Sequence, residues 1–188
     1  MRNCLVKRNR RGFTLAELLI VVIILAILAA IIVPQFSSAT VDAQESALDA
    51  NLTGMRSAIE LYRAQHGALY PGAVATSGGT CTATKGTGAA NSNQAFMDSM
   101  LMFTDVAGNA CSLGDAATYR FGPYMRKAIP ADPITGLGSA AADIVVTNTG
   151  AAIAPAAATG GWAYDTVSGQ IVMNSNATDT RGNAYSTH

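Results

Sequence analysis

Residues 13–33 read FTLAELLIVVIILAILAAIIV, and Thr14 and Glu17 are the only polar residues among them. At about 1.5 Å per residue, a helix over this stretch would be roughly 32 Å long, close to the bilayer's hydrocarbon thickness of about 30 Å. Lipid offers no hydrogen-bonding partners, so a segment that crosses it must satisfy its own backbone groups as a helix. The sequence therefore predicts one membrane-spanning helix near the start of the chain.

The first 12 residues carry a marked excess of positive charge. They contain five of the 12 basic residues and none of the 12 acidic ones. These basic residues are Arg2, Lys7, Arg8, Arg10 and Arg11. Basic residues beside an apolar span stay in the cytoplasm, so the C-terminal part is predicted to cross the membrane. The other seven basic residues stand against 12 acidic ones, and this balance predicts no nucleic-acid partner.

Two ordinary explanations of the apolar segment compete. One is a secretory signal peptide, for which Ser37 and Ala39 would supply the small residues of a cleavage site before Thr40. The apolar region of a signal peptide is usually about 7–15 residues long, and this one is longer. The other explanation is a plain membrane anchor. Neither accounts for Glu17, because an ionisable residue inside a membrane segment is costly and is a functional hypothesis by default.

The start of the apolar segment resembles a known processing signature. Arg11, Gly12, Phe13, Thr14, Leu15, Ala16 and Glu17, followed by LLIVVIILAILAAIIVP, are similar to the cleavage and methylation site of type IV prepilins and type II secretion pseudopilins. The resemblance implies cleavage after Gly12 and N-methylation of Phe13 as the new N-terminus. It also implies that Glu17 pairs with the N-terminal amine of a neighbouring subunit during assembly, and that Pro34 kinks the helix.

The same resemblance implies a set of partners. They are further copies of the chain in a helical filament, minor pseudopilins, a prepilin peptidase, and an inner-membrane assembly platform with its ATPase. The implied location is the inner membrane, with a single pass and the C-terminal domain in the periplasm, and then a periplasmic or cell-surface filament.

The helix is predicted to continue beyond Pro34 to residue 66. Apolar residues recur at steps of seven, four and three, which is the pattern of one buried helix face. They are Val41, Leu48, Leu52, Met55, Ile59 and Tyr62. Gly67 is a plausible left-handed cap and Pro71 follows the predicted helix end. His66 would then be a solvated residue at the end of the helix, favoured there by the helix dipole.

The rest of the chain predicts short elements separated by loops. Residues 72–93 are rich in Gly, Ser, Thr and Ala and predict a long surface loop, whereas residues 94–104 predict a short helix with Phe96, Met100 and Phe103 facing inward. Residues 143–148 predict a strand, and residues 162–165 and 170–174 a hairpin. The predicted fold is α+β and pilin-like, with the long helix packed on a small antiparallel sheet. The predicted divisions are a leader (1–12), a transmembrane and filament-core helix (13–34), its amphipathic continuation (35–67) and a periplasmic globular region (68–188).

Two C-terminal stretches extend the resemblance. GPYMRKAIPADPITG, and GWAYD with SGQIV and NSN, resemble the globular part of major type II secretion pseudopilins. Some of those proteins hold calcium in their C-terminal loops, and Asp179 with the polar groups of residues 174–183 could supply oxygen ligands here. One aspartate matches poorly with a cation that usually takes several carboxylates. The alternatives are a solvated polar tail and no cofactor at all.

Cysteines offer one candidate bridge. Cys4 lies in the predicted leader, which leaves Cys81 and Cys111 in the predicted exported region. That compartment permits a disulfide between them. Two free thiols are the alternative.

The sequence contains no recognisable catalytic set. His66 and His188 are its only histidines, and no HExxH, paired CxxC, GxSxG or phosphate-loop motif occurs. We therefore expect a structural protein rather than an enzyme. The leading interpretation is a subunit of a type II secretion pseudopilus that polymerises through its N-terminal helix and drives protein export. The alternatives are a type IV pilin for adhesion, motility or DNA uptake, and a membrane-anchored periplasmic binding protein.

Overall fold

The computed structural model describes residues 12–188, so the predicted basic leader up to residue 11 lies outside the described residues. Two α-helices and five strands follow one another in this part of the chain. The helices are α1 (Leu15–Gln65) and α2 (Asn93–Leu101), and the strands are β1 (Phe103–Thr104), β2 (Ala110–Cys111), β3 (Ile144–Thr147), β4 (Trp162–Asp165) and β5 (Ile171–Met173). Short 3₁₀ helices cover Ala141–Asp143 and Tyr185–Thr187. The predicted α+β class is confirmed.

The chain divides into two units by its internal contacts, one ending at Val41 and the other running from Asp42 to His188. In the first unit, Leu15–Val33 is long and apolar enough to cross a membrane, and none of it is buried within the chain. Helix α1 continues without a break through Pro34. The predicted kink at Pro34 stays a prediction.

The second unit is built on the predicted apolar face of α1. Leu48, Leu52, Met55, Ile59 and Tyr62 are all at most 1% exposed. They belong to a core shared with α2, β4 and β5. These elements contribute Phe96 and Met100 (α2), Trp162 and Tyr164 (β4), and Ile171 and Met173 (β5). The stripe read from the sequence is therefore the packing face of this part of the helix.

The sheet is mixed rather than purely antiparallel. Strands β4 and β5 form the predicted antiparallel hairpin, with Ala163 opposite Val172. Strand β3 pairs with β4 in parallel, with Val145 opposite Ala163. Parallel neighbours need a long crossover, and residues 148–161 provide it. The expectation of an antiparallel sheet was wrong for this pair, because the Ala-rich loop returns the chain to the end of the sheet where β3 began.

Helix α2 is shorter than predicted. It begins after the cap residue Ser92, whose side chain accepts the N–H of Ala95, and it ends at Leu101 because Met102 is extended. Thr104 then exchanges backbone hydrogen bonds with Phe121 at 2.9 and 3.2 Å. Residues 103–104 are consequently strand, and Phe103 is half-buried.

The predicted surface loop over residues 72–93 is partly buried. Thr76 is fully buried, and Gly86 and Gly88 are buried as well. A Cβ on Gly88 would lie 2.1 Å from the backbone nitrogen of Ala95, so only glycine fits there. The low-complexity composition hid a segment that packs closely against α2.

Candidate assembly and stabilising sites

Helix α1 begins with a reciprocal capping arrangement. The Thr14 N–H and hydroxyl donate to Glu17 Oε2 at 2.7 and 2.9 Å, and the Glu17 N–H donates to Thr14 Oγ1 at 3.2 Å. This is a capping box, in which a threonine before the helix and a glutamate three residues later satisfy backbone donors that the helix leaves open. Sequence reasoning missed it, although the Thr-x-x-Glu spacing was visible.

The capping box sits at the start of the apolar segment. Gly12 and Phe13 are exposed, with Phe13 80% exposed. Glu17 is also exposed, and none of the ion pairs described for residues 12–188 includes it. The carboxylate therefore lies in an apolar stretch with hydrogen-bond donors from Thr14 and no described cation. Its predicted assembly role, the predicted cut between Gly12 and Phe13, and methylation of Phe13 stay predictions.

Buried aspartates hold the loops of the second unit, and Asp165 is the clearest case. It is fully buried, and its carboxylate accepts the N–H groups of Ser168 at 2.8 Å and Thr149 at 2.8 Å. It also accepts the Thr147 hydroxyl at 3.0 Å and the Gly150 N–H at 3.2 Å. Burial opposes ionisation, but these donors outweigh it, Ser168 first, and hold the pKa of Asp165 below its ordinary range.

Two more aspartates repeat this arrangement. Asp98 on α2 accepts the Thr76 hydroxyl at 2.7 Å and the N–H groups of Thr87 at 2.7 Å and Gly88 at 3.0 Å. Asp132 accepts the N–H of Gly161 at 2.7 Å and closes its own turn. Aspartate followed by Thr or Ser three residues later, as at Asp132 and Asp165, is a turn signal that could have identified them.

Asp179 has the same structural use. Its Oδ1 accepts the N–H groups of Asn183 at 2.7 Å and Arg181 at 2.9 Å, and His188 Nε2 lies 3.4 Å from Oδ2. No group of three His, Cys, Asp or Glu side chains suited to a metal occurs in the described part of the chain. The Asp179 carboxylate is engaged by its own loop, and next to it Glu45 accepts the N–H and the hydroxyl of Thr180 at 2.8 and 2.9 Å. Calcium binding at Asp179 stays a prediction.

Cys81 and Cys111 form a disulfide, with Cα atoms 5.5 Å apart. The predicted bridge is confirmed. Cys111 lies on β2 and is 2% exposed, whereas Cys81 belongs to the irregular segment before α2. Strands β1 and β2 form an antiparallel hairpin with Phe103 opposite Cys111, and the bridge ties the irregular segment to this β1–β2 hairpin.

His66 contradicts the expectation of a solvated residue. It is 1% exposed, and its ring stacks on that of Tyr62 with centroids 3.8 Å apart. Burial is the main cause that lowers its pKa. The dipole argument failed because aromatic residues distant in sequence cover the helix end.

Two comparisons with known proteins gave a match. The prokaryotic N-terminal methylation motif matches residues 7–33. Type II secretion system core protein G of Pseudomonas aeruginosa is 37% identical over 65 residues, which cover 35% of this chain and 45% of that protein. The chain therefore spans less than half the length of this curated relative. No solved structure gives a significant match. The chain thus carries the prokaryotic N-terminal methylation motif and is homologous, over part of its length, to a type II secretion core protein.

Proposed function

We propose that the chain is a structural subunit of a type II secretion pseudopilus, which polymerises through its N-terminal helix to drive protein export. The observation that carries the proposal is Glu17, a carboxylate in an apolar segment that is long enough to cross a membrane. A membrane anchor gains nothing from such a residue. A subunit whose new N-terminus must pair with a neighbour does.

Cleavage after Gly12 would create a cationic amine on Phe13, and methylation would leave that charge in place. Glu17 lies four residues further on, about 6 Å along the helix axis. A neighbouring copy shifted by that rise can bring its Phe13 amine to the Glu17 carboxylate. The pair would neutralise both charges and set the axial register, as a buried polar residue does in a coiled coil.

Thr14 prepares Glu17 for this contact. The capping box holds the carboxylate at the first turn of α1 through Oε2, and a carboxylate can accept more than two hydrogen bonds. A neighbouring amine could therefore bind Glu17 without first breaking the cap.

The division of the chain follows from this mechanism. Residues 1–12 would act as the cytoplasmic leader for a prepilin peptidase, and residues 13–34 as the span and later the filament core. Residues 35–188 would be periplasmic and meet minor pseudopilins. An inner-membrane platform and its ATPase would supply the work of extraction from the membrane. The homology points to a structural, non-enzymatic family of subunits.

A type IV pilin is the second candidate, because the methylation motif suits both kinds of filament. The similarity to a type II secretion core protein favours secretion. Deletion of the gene separates them: secretion predicts that exported enzymes accumulate in the periplasm, whereas a pilin predicts loss of motility, adhesion or DNA uptake with normal export. A mature N-terminus at Thr40 would contradict both and indicate an ordinary signal peptidase.

A further inference from the structure

His66 follows the last residue of α1 and is enclosed by aromatic rings. It stacks on Tyr62 with an interplanar angle of 6°, and Phe121 meets it edge-on with ring centroids 5.1 Å apart. Tyr124 lies edge-on at 6.3 Å and donates its hydroxyl to Gln65 Oε1 at 2.6 Å. The imidazole is therefore the centre of the joint between the helix end and the segments that cover it.

The hydrogen bonds assign the tautomer. His66 Nδ1 lies 2.8 Å from the carbonyl oxygen of Tyr62, which can only accept, so Nδ1 carries the proton. In the neutral ring Nε2 is then an acceptor. Thr104 Oγ1 lies 3.0 Å from it and donates. Thr104 belongs to β1, so this bond attaches the β1–β2 hairpin (Phe103–Cys111) to the end of α1.

The groups around the ring favour its neutral form. Burial is the largest influence and lowers the pKa of His66, while the Tyr62 carbonyl and Asp105 oppose it less strongly. The Arg120 guanidinium lies over the Phe121 ring, 5.0 Å from the ring centroid. Burial raises the pKa of Tyr62 and of Tyr124 to about 12. Neither phenol changes charge in acid, so among the neighbours named here only Asp105 and Arg120 are charged.

We propose that His66 makes the joint between α1 and the β1–β2 hairpin acid-sensitive, so that protonation of the imidazole loosens the hairpin while the β4–β5 core stays closed. A proton on Nε2 turns that atom into a donor, so the Thr104 hydroxyl must rotate from donating to accepting. The same proton places a charge in a buried aromatic site. Both changes act on the hairpin attachment.

The direction follows from linkage. The pKa of His66 is lowered while the hairpin is attached to the end of α1. The ring therefore binds its proton more readily when the hairpin is detached. The neutral ring stabilises the attached hairpin fully above the ordinary imidazole pKa of about 6.5. This stabilisation is lost as the pH falls through the lower pKa of the buried ring. The hairpin should therefore begin to loosen as the pH falls below about 6.5. Exposure of this joint to external pH rests on the proposed export of the unit.

Hydrogen exchange of the full chain in detergent micelles tests the proposal without requiring filaments. Rates are compared at about pH 7.5 and about pH 5, on either side of the ordinary imidazole value, after correction for intrinsic exchange. Amides of residues 103–111 should lose protection in acid, by roughly tenfold for each pH unit below the ordinary imidazole value until the pH reaches the pKa of the buried ring. Amides of β4 and β5 serve as the internal reference.

His66→Gln is the matched variant, because its amide oxygen can still accept from Thr104 but does not titrate in this range. Its hairpin protection should be the same at both pH values, even if it is lower overall. The proposal is overturned if the variant loses protection in acid as the natural chain does, or if the hairpin and the β4–β5 amides open together. A His66 ring that titrates at its ordinary value by NMR would also overturn it.

Discussion

The carboxylates of the two units are held in opposite ways. In the second unit, Asp165 is fully buried and accepts hydrogen bonds from at least four residues of its own loops. In the first unit, Glu17 is exposed within an apolar segment and receives two hydrogen bonds, both from Thr14. A carboxylate saturated by its own chain has a structural use. One in an apolar span that, among the described residues, is held by Thr14 alone suits the partner in another copy of the chain that the proposed function assigns to it.

The two units also depend on different features of the sequence. Leu15–Val33 needs only length and apolarity to form a helix in lipid. Residues 42–188 contain little regular structure beyond α1, and their loops depend on aspartates, glycines and one disulfide. Substitutions in the first unit should therefore change processing or assembly and leave the fold intact. Those in the second should change stability.

Gly12→Val should have the largest effect. We expect it to abolish cleavage, because a branched side chain would occupy the scissile position where the natural chain has none. The basic leader would then stay attached, and no amine would form on Phe13. Intact mass spectrometry of the membrane fraction measures this. Normal processing of the Gly12→Val protein would show that a prepilin peptidase does not cut after residue 12.

Asp165→Ala should be the most damaging change in the second unit. It would leave the N–H groups of Thr149, Gly150 and Ser168 without their acceptor. Hydrogen bonds to a charged group contribute about 1.5–3 kcal/mol each, and water can replace only part of the lost acceptor at these exposed residues, so the free energy of unfolding should fall by about 4 kcal/mol. Denaturant unfolding in detergent followed by Trp162 fluorescence measures it.

Asp42→Ala is the control for that measurement, because Asp42 is an exposed aspartate on α1. It should change stability by no more than about 0.5 kcal/mol. Equal losses in the two variants would mean that the Asp165 contacts contribute nothing specific.

The pH dependence of Asp165 has a defined sign. Its pKa is lowered in the folded chain, where the N–H of Ser168 leads the donors that overcome burial. The carboxylate therefore stabilises the unit above the ordinary aspartate pKa of about 3.9, and this contribution disappears as the pH falls through the lower folded value. Asp165→Ala should show a shallower loss of stability in strong acid than the natural chain. Parallel curves would contradict the assignment.

Replacing both cysteines, by Cys81→Ala with Cys111→Ala, should have a slightly smaller effect. The bridge joins positions separated by 30 residues, and a loop of that size is worth about 3.6 kcal/mol in the chain-entropy model. Peptide mapping without reductant should recover the bridged pair from the natural chain. Two free thiols there would refute the bridge, and unchanged unfolding of the double variant would show that it adds no stability.

Thr14→Val should have the smallest effect on folding. It removes the hydroxyl that caps α1, and loss of an N-cap side chain costs about 1 kcal/mol. Hydrogen exchange at residues 15–18 should become faster in detergent, while Thr14→Ser should behave as the natural chain. Identical exchange in the Val and Ser variants would mean that the capping box does not hold the helix start.

The sequence was most informative where one physical requirement dominates. The apolar span, the buried stripe from Leu48 to Tyr62 and the β4–β5 hairpin all follow from periodicity or composition. The parallel pairing of β3 and the burial of His66 do not, because both depend on segments that meet only after folding. The segment before α2 was misjudged because Asp98, which organises it, lies on the helix and not in the loop.

Filament formation by Glu17→Leu tests the central claim, that the partner of this carboxylate lies on another copy of the chain. Filaments are counted by electron microscopy in cells that produce the natural chain, Glu17→Leu or Glu17→Gln, with insertion and cleavage checked in the same cells. Glutamine can still accept from Thr14 but carries no charge, so it separates the cap from the ion pair. We predict that both variants are inserted and cleaved normally and form no filaments. Filaments at the natural level in Glu17→Leu would contradict the claim and reduce Glu17 to a tolerated polar residue.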